Sequence, residues 1–367
     1  MAQEKLSFAD PFADALTAVA SRAGAADRGE ITLAADLACL HDSGLLMQVV
    51  CDCLPDGNVL AGATMLRRIG RASLSVGRIV EGHVNALRLI QLYGTSVQRQ
   101  QAMVAARGPA KDHGPTVFGV WGADGKPPVR VADMDTATAT LSGAKQFCSG
   151  IGLVSRAVIP VTTCDGVQLF LADVDEAARG DVSGWTVSGM RATASGRYDL
   201  TGVGAQTLGD PDDYLREPHF EGGIWRYCAV QCGGLEALAE QACQHIIARG
   251  QSEDPHQRAR FARLVAHAHT ARLWVDASCK RVEQGWQATG VPQVLLAREA
   301  VEQACQAGIA LTERIMGTAA FNAESDADRI RRDLGFFLRQ ANLDSKLDKA
   351  AEALLAPGTA LMSEAFS

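Results

Sequence analysis

The hydrophobic period of this chain changes twice, and that change limits the fold more than any single motif. From residue 10 to 107, apolar residues recur at helical spacing, as in Phe12, Leu16, Val19 and Ala20, and a long helix is expected over Leu74–Ile90 with a stop at Gly94. From Val117 to Val203 the texture becomes short runs of Val, Thr and Ile cut by Gly, Asp and Pro. Strands are expected at Ala137–Leu141, Ala157–Thr163, Val167–Val174, Trp185–Val187 and Tyr198–Leu200. Beyond this island the helical period returns. Cys228, Cys232, Leu235, Ala239, Ala242 and Ile246 form one stripe; another runs from Phe261 through Val275 to Trp286. A third runs from Val294 to Ile315, and a shorter fourth includes Ile330 and Leu334. Breaks at Gly108–Pro115 and Gly209–Asp213 divide the chain into a helical domain (1–115), a β domain (116–213) and a helical bundle (214–367). The expected class is mainly α with a central small β barrel or sandwich.

Composition excludes several functions. The net charge is −7, which argues against nucleic acid as the main partner. No apolar run approaches the ~18 residues of a membrane span, and the N-terminus lacks an apolar signal core, so a cytoplasmic protein is expected. The ten cysteines are scattered without zinc spacing and read as reduced, mostly buried thiols. His267 and His269 are two residues apart, so on a helix their rings diverge, and no metal site is expected. Nucleophile-elbow, phosphate-loop, zinc-protease and dinucleotide-fingerprint motifs are all missing.

Two stretches of the β island stand out, Leu141-Ser-Gly-Ala-Lys-Gln-Phe-Cys-Ser149 and Gly189-Met-Arg-Ala-Thr-Ala-Ser-Gly196. With the helix–sheet–helix order, the first resembles the L-x-G-x-K-x-W-I-[ST] pattern of the acyl-CoA dehydrogenase superfamily, and the second its G-x-R-x-[ST] stretch. Tyr93-Gly-Thr-Ser-Val-Gln98 resembles the segment closing that family's first domain, and Arg329–Asp333 its R-x-x-RD segment. The resemblance spans about residues 90 to 340. It implies a flavin whose ring lies against Phe147 and accepts a hydrogen bond from Ser149. It also implies cofactor contacts from Trp121 and Gly122 in the loop that grips the pyrophosphate, from Arg249 at the end of the first bundle helix, from Gly317 near a partner subunit's adenosine, and from Arg191, which pairs with an anionic group or else ties down a turn. Such sites are completed across subunits, so a homodimer or homotetramer is expected.

The sequence departs from that family at its chemistry. Counting from Arg332 to the family's catalytic glutamate reaches Ala341, and the alternative base position falls near Gly223. Glu221 is the nearest carboxylate, and Glu221 with Arg226 are the candidate catalytic residues. Without a positioned base, α-proton abstraction loses about 10²–10⁴-fold. The phosphate loop has lost its hydroxyls, and Gly317-Thr-Ala-Ala-Phe321 has lost glycines that allow close approach to an adenosine. FAD is the expected cofactor, with FMN as the alternative. The expected function is a flavin-dependent oxidoreductase acting on an acyl thioester, such as an acyl-CoA, or a similar small molecule, with an electron-transfer partner. The alternatives are a flavin monooxygenase of the same fold fed by a flavin reductase, and a non-catalytic binding module.

Overall fold

The computed structural model describes residues 10–110, 114–135, 137–284, 287–340 and 342–357. Trp286 and Ala341, which the sequence reading singles out, lie outside the described residues.

Among the described residues, six helices precede the sheet region: α1 (Ala13–Asp27), α2 (Ala34–Asp42), α3 (Leu45–Cys53), α4 (Val59–Ala72), α5 (Leu74–Tyr93) and α6 (Ser96–Arg107). Helix α5 starts where Ser73 Oγ accepts the amide of Val76 at 3.3 Å. It ends at Gly94, where Thr95 and Gln98 form a capping box that starts α6. Most of α5 is buried, which makes it the central post of the first block.

The β region contains β1 (Val117–Val120), β2 (Arg130–Met134), β3 (Thr138–Ser142), β4 (Ala144–Cys148), β5 (Val154–Thr163), β6 (Gly166–Asp173), β7 (Gly180–Asp181), β8 (Gly196–Asp199) and β9 (Val203–Leu208). They form a six-stranded sheet in the order β1-β5-β6-β9-β3-β2 and a three-stranded sheet in the order β4-β8-β7. Only β1 and β5 pair in parallel among these strands. Gly143 is the corner between the two sheets. Its φ of +106° turns the chain from β3 into β4, and a side chain there would strike the carbonyl of Pro128. The expected strand at Trp185–Val187 is absent. Those residues are irregular, and the indole of Trp185 donates to Met190 O at 3.1 Å and meets Phe336 edge-on at 5.5 Å. Tertiary packing of the ring overrides the local strand preference.

The bundle consists of α7 (Trp225–Ala248), α8 (Pro255–Gln284), α9 (Val291–Met316), α10 (Asp326–Phe337) and α11 (Leu343–Leu355). One continuous hydrophobic core joins all three blocks. All ten cysteines are free thiols, and six of them are buried. Among the described residues no helix is long and apolar enough to cross a membrane.

The first block meets the bundle through α4 and α7, whose backbones touch at two reciprocal glycines. A Cβ on Gly70 would strike Val230 O, and one on Gly233 would strike Arg67 O. Gly82 on α5, by contrast, faces open space. Gly233→Ala is therefore expected to destabilise by about 3 kcal/mol through overpacking. Gly82→Ala should stabilise by up to about 1 kcal/mol through helix propensity. Chemical denaturation of the two variants checks both signs.

Candidate active site between the sheet and the helices

A cavity of about 740 Å³ lies where β4, α5, the start of α7 and the end of α10 converge. That size suits a cofactor or substrate of drug-like dimensions. Its lower wall is built by β4, whose pairing with β8 is broken by a bulge between Lys145 and Cys148. A bulge re-aims side chains, and here it leaves Phe147 at φ +57° with its ring 62% exposed on the cavity wall. A bulky residue in the left-handed region costs about 1–2 kcal/mol, so the surroundings must hold it there. Lys145, only 1% exposed, does this. Its ammonium binds Asp124 Oδ1 at 2.6 Å, Pro160 O at 2.7 Å and Gly122 O at 3.1 Å, pinning the 121–125 loop to β5. Trp121 then packs at a tilt against Tyr198, with ring centroids 5.0 Å apart, and donates its indole N–H to Ser149 O at 3.1 Å.

Behind Phe147 stands a string of hydroxyls. Ser195 Oγ donates to Ser149 Oγ at 3.1 Å, and Thr193 Oγ1 lies 2.9 Å from Ser195 Oγ and 2.8 Å from Met190 O. All three hydroxyl residues line the cavity. With Ser195 donating to Ser149, the hydrogen of Ser149 is left for a ligand. The loop carrying Thr193 and Ser195 is itself strained, with Met190 at φ +58° and Ala194 at φ +44°. The loop is held from α10. Asp333 Oδ1 accepts the Met190 amide at 2.6 Å, and Arg332 donates to Ser188 O at 2.7 Å while pairing with Asp27 at 2.7 Å. Gly189 lies so close to Arg332 O that no side chain fits there. The RD pair of the sequence is thus a clamp on this loop. Burial pushes the Asp333 carboxyl up to about 6.

The opposite wall is charged. Arg78, Glu81, Asn85 and Arg88 share one face of α5. Glu81, 2% exposed, is held by Arg78 and Asn85. Asn85 Oδ1 accepts from Arg226 Nε at 2.5 Å. Glu283 of α8 then takes Arg88 at 2.6 Å, Arg226 at 3.4 Å and the Trp225 indole at 3.2 Å. The Arg226 guanidinium fills the space that a side chain at Gly223 would need, so a cation occupies the room beside the position where a base was sought. His219 also lines the cavity. Its buried Nδ1 has no hydrogen-bond partner, and burial, then Arg88, holds its imidazole below the ordinary histidine range.

The expected site residues separate into two groups. Gly122, Phe147, Ser149, Glu221 and Arg226 line the cavity, and Trp121 supports it from behind. The Glu221 carboxylate is engaged by Lys349 at 2.9 Å and Lys346 at 3.6 Å, which tie α11 to the cavity edge. Arg191 is exposed and has no ion pair among the described residues. Arg249 and Gly317 are exposed at the far end of the bundle, outside this cavity. They flank a tie in which Gln257 donates to Gln251 Oε1 at 3.1 Å and Ile315 O at 3.2 Å. Sequence reading missed the α5 face, Glu283 and His219. The i, i+3, i+7, i+10 spacing of Arg78, Glu81, Asn85 and Arg88 was visible, but a polar face on a helix ordinarily reads as solvated. Among the described residues no cluster suits a metal ion.

No family model matches the chain, and no curated protein matches it. Solved structures do match. TdsC from Paenibacillus sp. A11-2, in complex with FMN and indole, superposes with a TM-score of 0.77 at 18% identity, covering 93% of this chain and 96% of that one. The chain has the acyl-CoA dehydrogenase fold. Methanesulfinate monooxygenase MsuC from Pseudomonas fluorescens matches with a TM-score of 0.75 at 19% identity, over 93% of this chain and 95% of that one. KijD3, in complex with FMN and dTDP-3-amino-2,3,6-trideoxy-4-keto-3-methyl-D-glucose, matches with a TM-score of 0.76 at 16% identity, over 96% and 95%. The acyl-CoA dehydrogenase fold accounts for the helical domain, the curled sheets and the bundle that surround the cavity.

The buried Asp333 carboxylate sets a pH test. Its folded-state pKa lies above the unfolded value, so its contribution to stability is full below about pH 4 and is lost as pH rises through about 6. Asp333→Asn keeps an oxygen for the Met190 amide and removes the titration. The variant should gain melting temperature relative to the parent between pH 4 and pH 7. A constant difference across that range would contradict this reading.

Proposed function

We propose that the protein is a flavin-dependent monooxygenase that binds FMN in this cavity and receives it reduced from a separate flavin reductase. The observation that carries the reading is the cavity wall. It presents an exposed aromatic ring held in a strained backbone beside a hydroxyl with a free hydrogen, and each of its two carboxylates is already ion-paired. Strain retained beside a cavity is a mark of a functional surface. Two neighbours of the same fold contain FMN, and a third is named a monooxygenase.

The residues present fit a flavin ring. Phe147 would pack against it, and Ser149, backed by Ser195 and Thr193, would donate to it. Fixed donors of this kind stabilise negative charge that builds on the ring during reduction. A reduced flavin supplies the electrons with which oxygen is activated. Trp185, Phe336, Leu89, Leu92 and Ile224 line the cavity and would exclude water from the reacting atoms. Oxidation of an acyl thioester needs a carboxylate free to take an α-proton. Glu81 is held by Arg78 and Asn85, and Glu221 by two lysines. We assign Glu221 the role of a latch that ties α11 over the cavity. Arg249 and Gly317, exposed at the far end of the bundle, would meet the phosphate end of a flavin held by a partner subunit in a homodimer or homotetramer, with Arg191 a further phosphate contact. FMN is favoured over FAD because the stretch from Gly317 to Phe321 keeps only one glycine for an adenosine to approach.

Two experiments check this. Phe147→Gly should leave stability unchanged or raise it by up to about 1 kcal/mol, because glycine accepts φ > 0. The same change should weaken FMN binding at least about tenfold, roughly 1.4 kcal/mol. Thermal denaturation and quenching of FMN fluorescence read the two effects, and unchanged FMN affinity would contradict the assignment. Oxygen consumption should depend on supplied reduced FMN. Bleaching of the oxidised flavin by acyl-CoA without oxygen would overturn the monooxygenase reading.

A further inference from the structure

The charged wall has a property that a flavin ring does not require. The cavity is lined by five cationic side chains, Arg78, Arg88, Arg226, Arg339 and Lys346, against two carboxylates, Glu81 and Glu221. Three of the cations have a carboxylate partner with any excess charge at a half-exposed side chain: Arg78 pairs with Glu81, Lys346 with Glu221, which the half-exposed Lys349 also engages, and the half-exposed Arg339 with Glu302, which Arg298 also engages. Arg88 and Arg226 do not each have one. They share the single carboxylate of Glu283. Both are almost fully buried, Arg88 3% and Arg226 4% exposed. One positive charge therefore remains uncompensated in a desolvated place, where an unpaired ion is costly.

The unused hydrogen-bonding groups point the same way. Arg88 Nε is buried without a partner, as is His219 Nδ1. The Arg226 guanidinium lies over Gly223, where only the missing side chain makes room for it. Asn85 holds its Nε side in a fixed orientation. With Nε on Asn85 and Nη1 on Glu283, Nη2 is the Arg226 nitrogen left to donate to an oxyanion. Leu89, Leu92, Ile224, Phe220 and Phe336 give the same cavity an apolar stretch of lining.

We infer that the α5–α7 end of the cavity, formed by Arg88, Arg226 and His219 with Glu283 behind them, is an anion subsite for the substrate, which is a small organic acid. The acid carries one oxyanion, a carboxylate, sulfonate or phosphate ester, on an apolar skeleton. Its oxyanion takes the positive charge that Glu283 leaves uncompensated, and its skeleton extends along the apolar lining toward Phe147. This rests on the flavin reading for which end of the ligand is oxidised, but anion recognition itself does not need the flavin.

The test compares phenylacetate and benzenesulfonate with their neutral amides, by calorimetric titration of flavin-free and FMN-loaded protein. Each acid should bind at least about tenfold more tightly than its amide. Glu283→Gln should tighten acid binding several-fold, because it removes the competing carboxylate while keeping a hydrogen-bonding oxygen. Arg226→Gln should abolish the preference for the acid. The two variants are expected to move in opposite directions, and a merely structural role for the network would weaken binding in both. Equal affinity for acid and amide, or weaker acid binding in Glu283→Gln, would overturn the proposal. So would an Arg226→Gln variant that keeps the acid preference but loses discrimination of FMN from riboflavin, since the anion would then be the flavin's own phosphate. Failure to bind FMN with the acid preference intact would sink the flavin reading and leave the anion subsite standing.

Discussion

The carboxylate of Glu283 is the junction on which the helical architecture around the cavity depends. It lies on α8 and reaches Arg88 on α5 and both Trp225 and Arg226 at the start of α7. Arg88 continues to the carbonyl of Cys53 at the end of α3, at 2.7 Å. One acidic group thus ties the first helical block to the bundle inside the protein. Removing one partner of a buried pair typically costs about 3–5 kcal/mol, because it leaves an uncompensated charge. The same junction gives the cavity its positive wall, so the interaction that closes the fold also sets the chemistry of the site.

The opposite wall follows from backbone constraint. Gly143 turns β3 into β4, the bulge in β4 re-aims Phe147, and buried Lys145 fixes the loop beneath it. Asp333 and Arg332 clamp the second strained loop from α10. Strain in Phe147, Met190 and Ala194 is concentrated around the cavity. Rigid neighbours hold these residues in place before any ligand arrives, which is how a preorganised site avoids reorganisation during reaction.

Much of this was legible in the sequence because it rests on local signals. The two changes of hydrophobic period gave the order of helices, strands and helices. Gly143, Lys145, Phe147 and Ser149 belong to one nine-residue stretch, in which Gly143 is the corner, Lys145 the strut, and Phe147 and Ser149 line the cavity. The charged wall was not legible. Arg88, Arg226 and Glu283 lie on three helices far apart in sequence, and only packing brings them to one carboxylate. Trp185 misled the strand assignment for a related reason, since its indole bond to Met190 and its contact with Phe336 are long-range choices invisible to local pattern. Glu221 looked like a candidate base because α11, whose lysines engage it, follows more than a hundred residues later.

The central claim is that a flavin ring occupies the space between Phe147 and the Arg226 wall. A crystal structure of the protein soaked with FMN tests it most directly. The account predicts the ring packed against Phe147, with Ser149 within hydrogen-bond distance of it and Arg88 and Arg226 still facing an open pocket. An FMN bound elsewhere on the chain, or a flavin phosphate seated on Arg226, would contradict it.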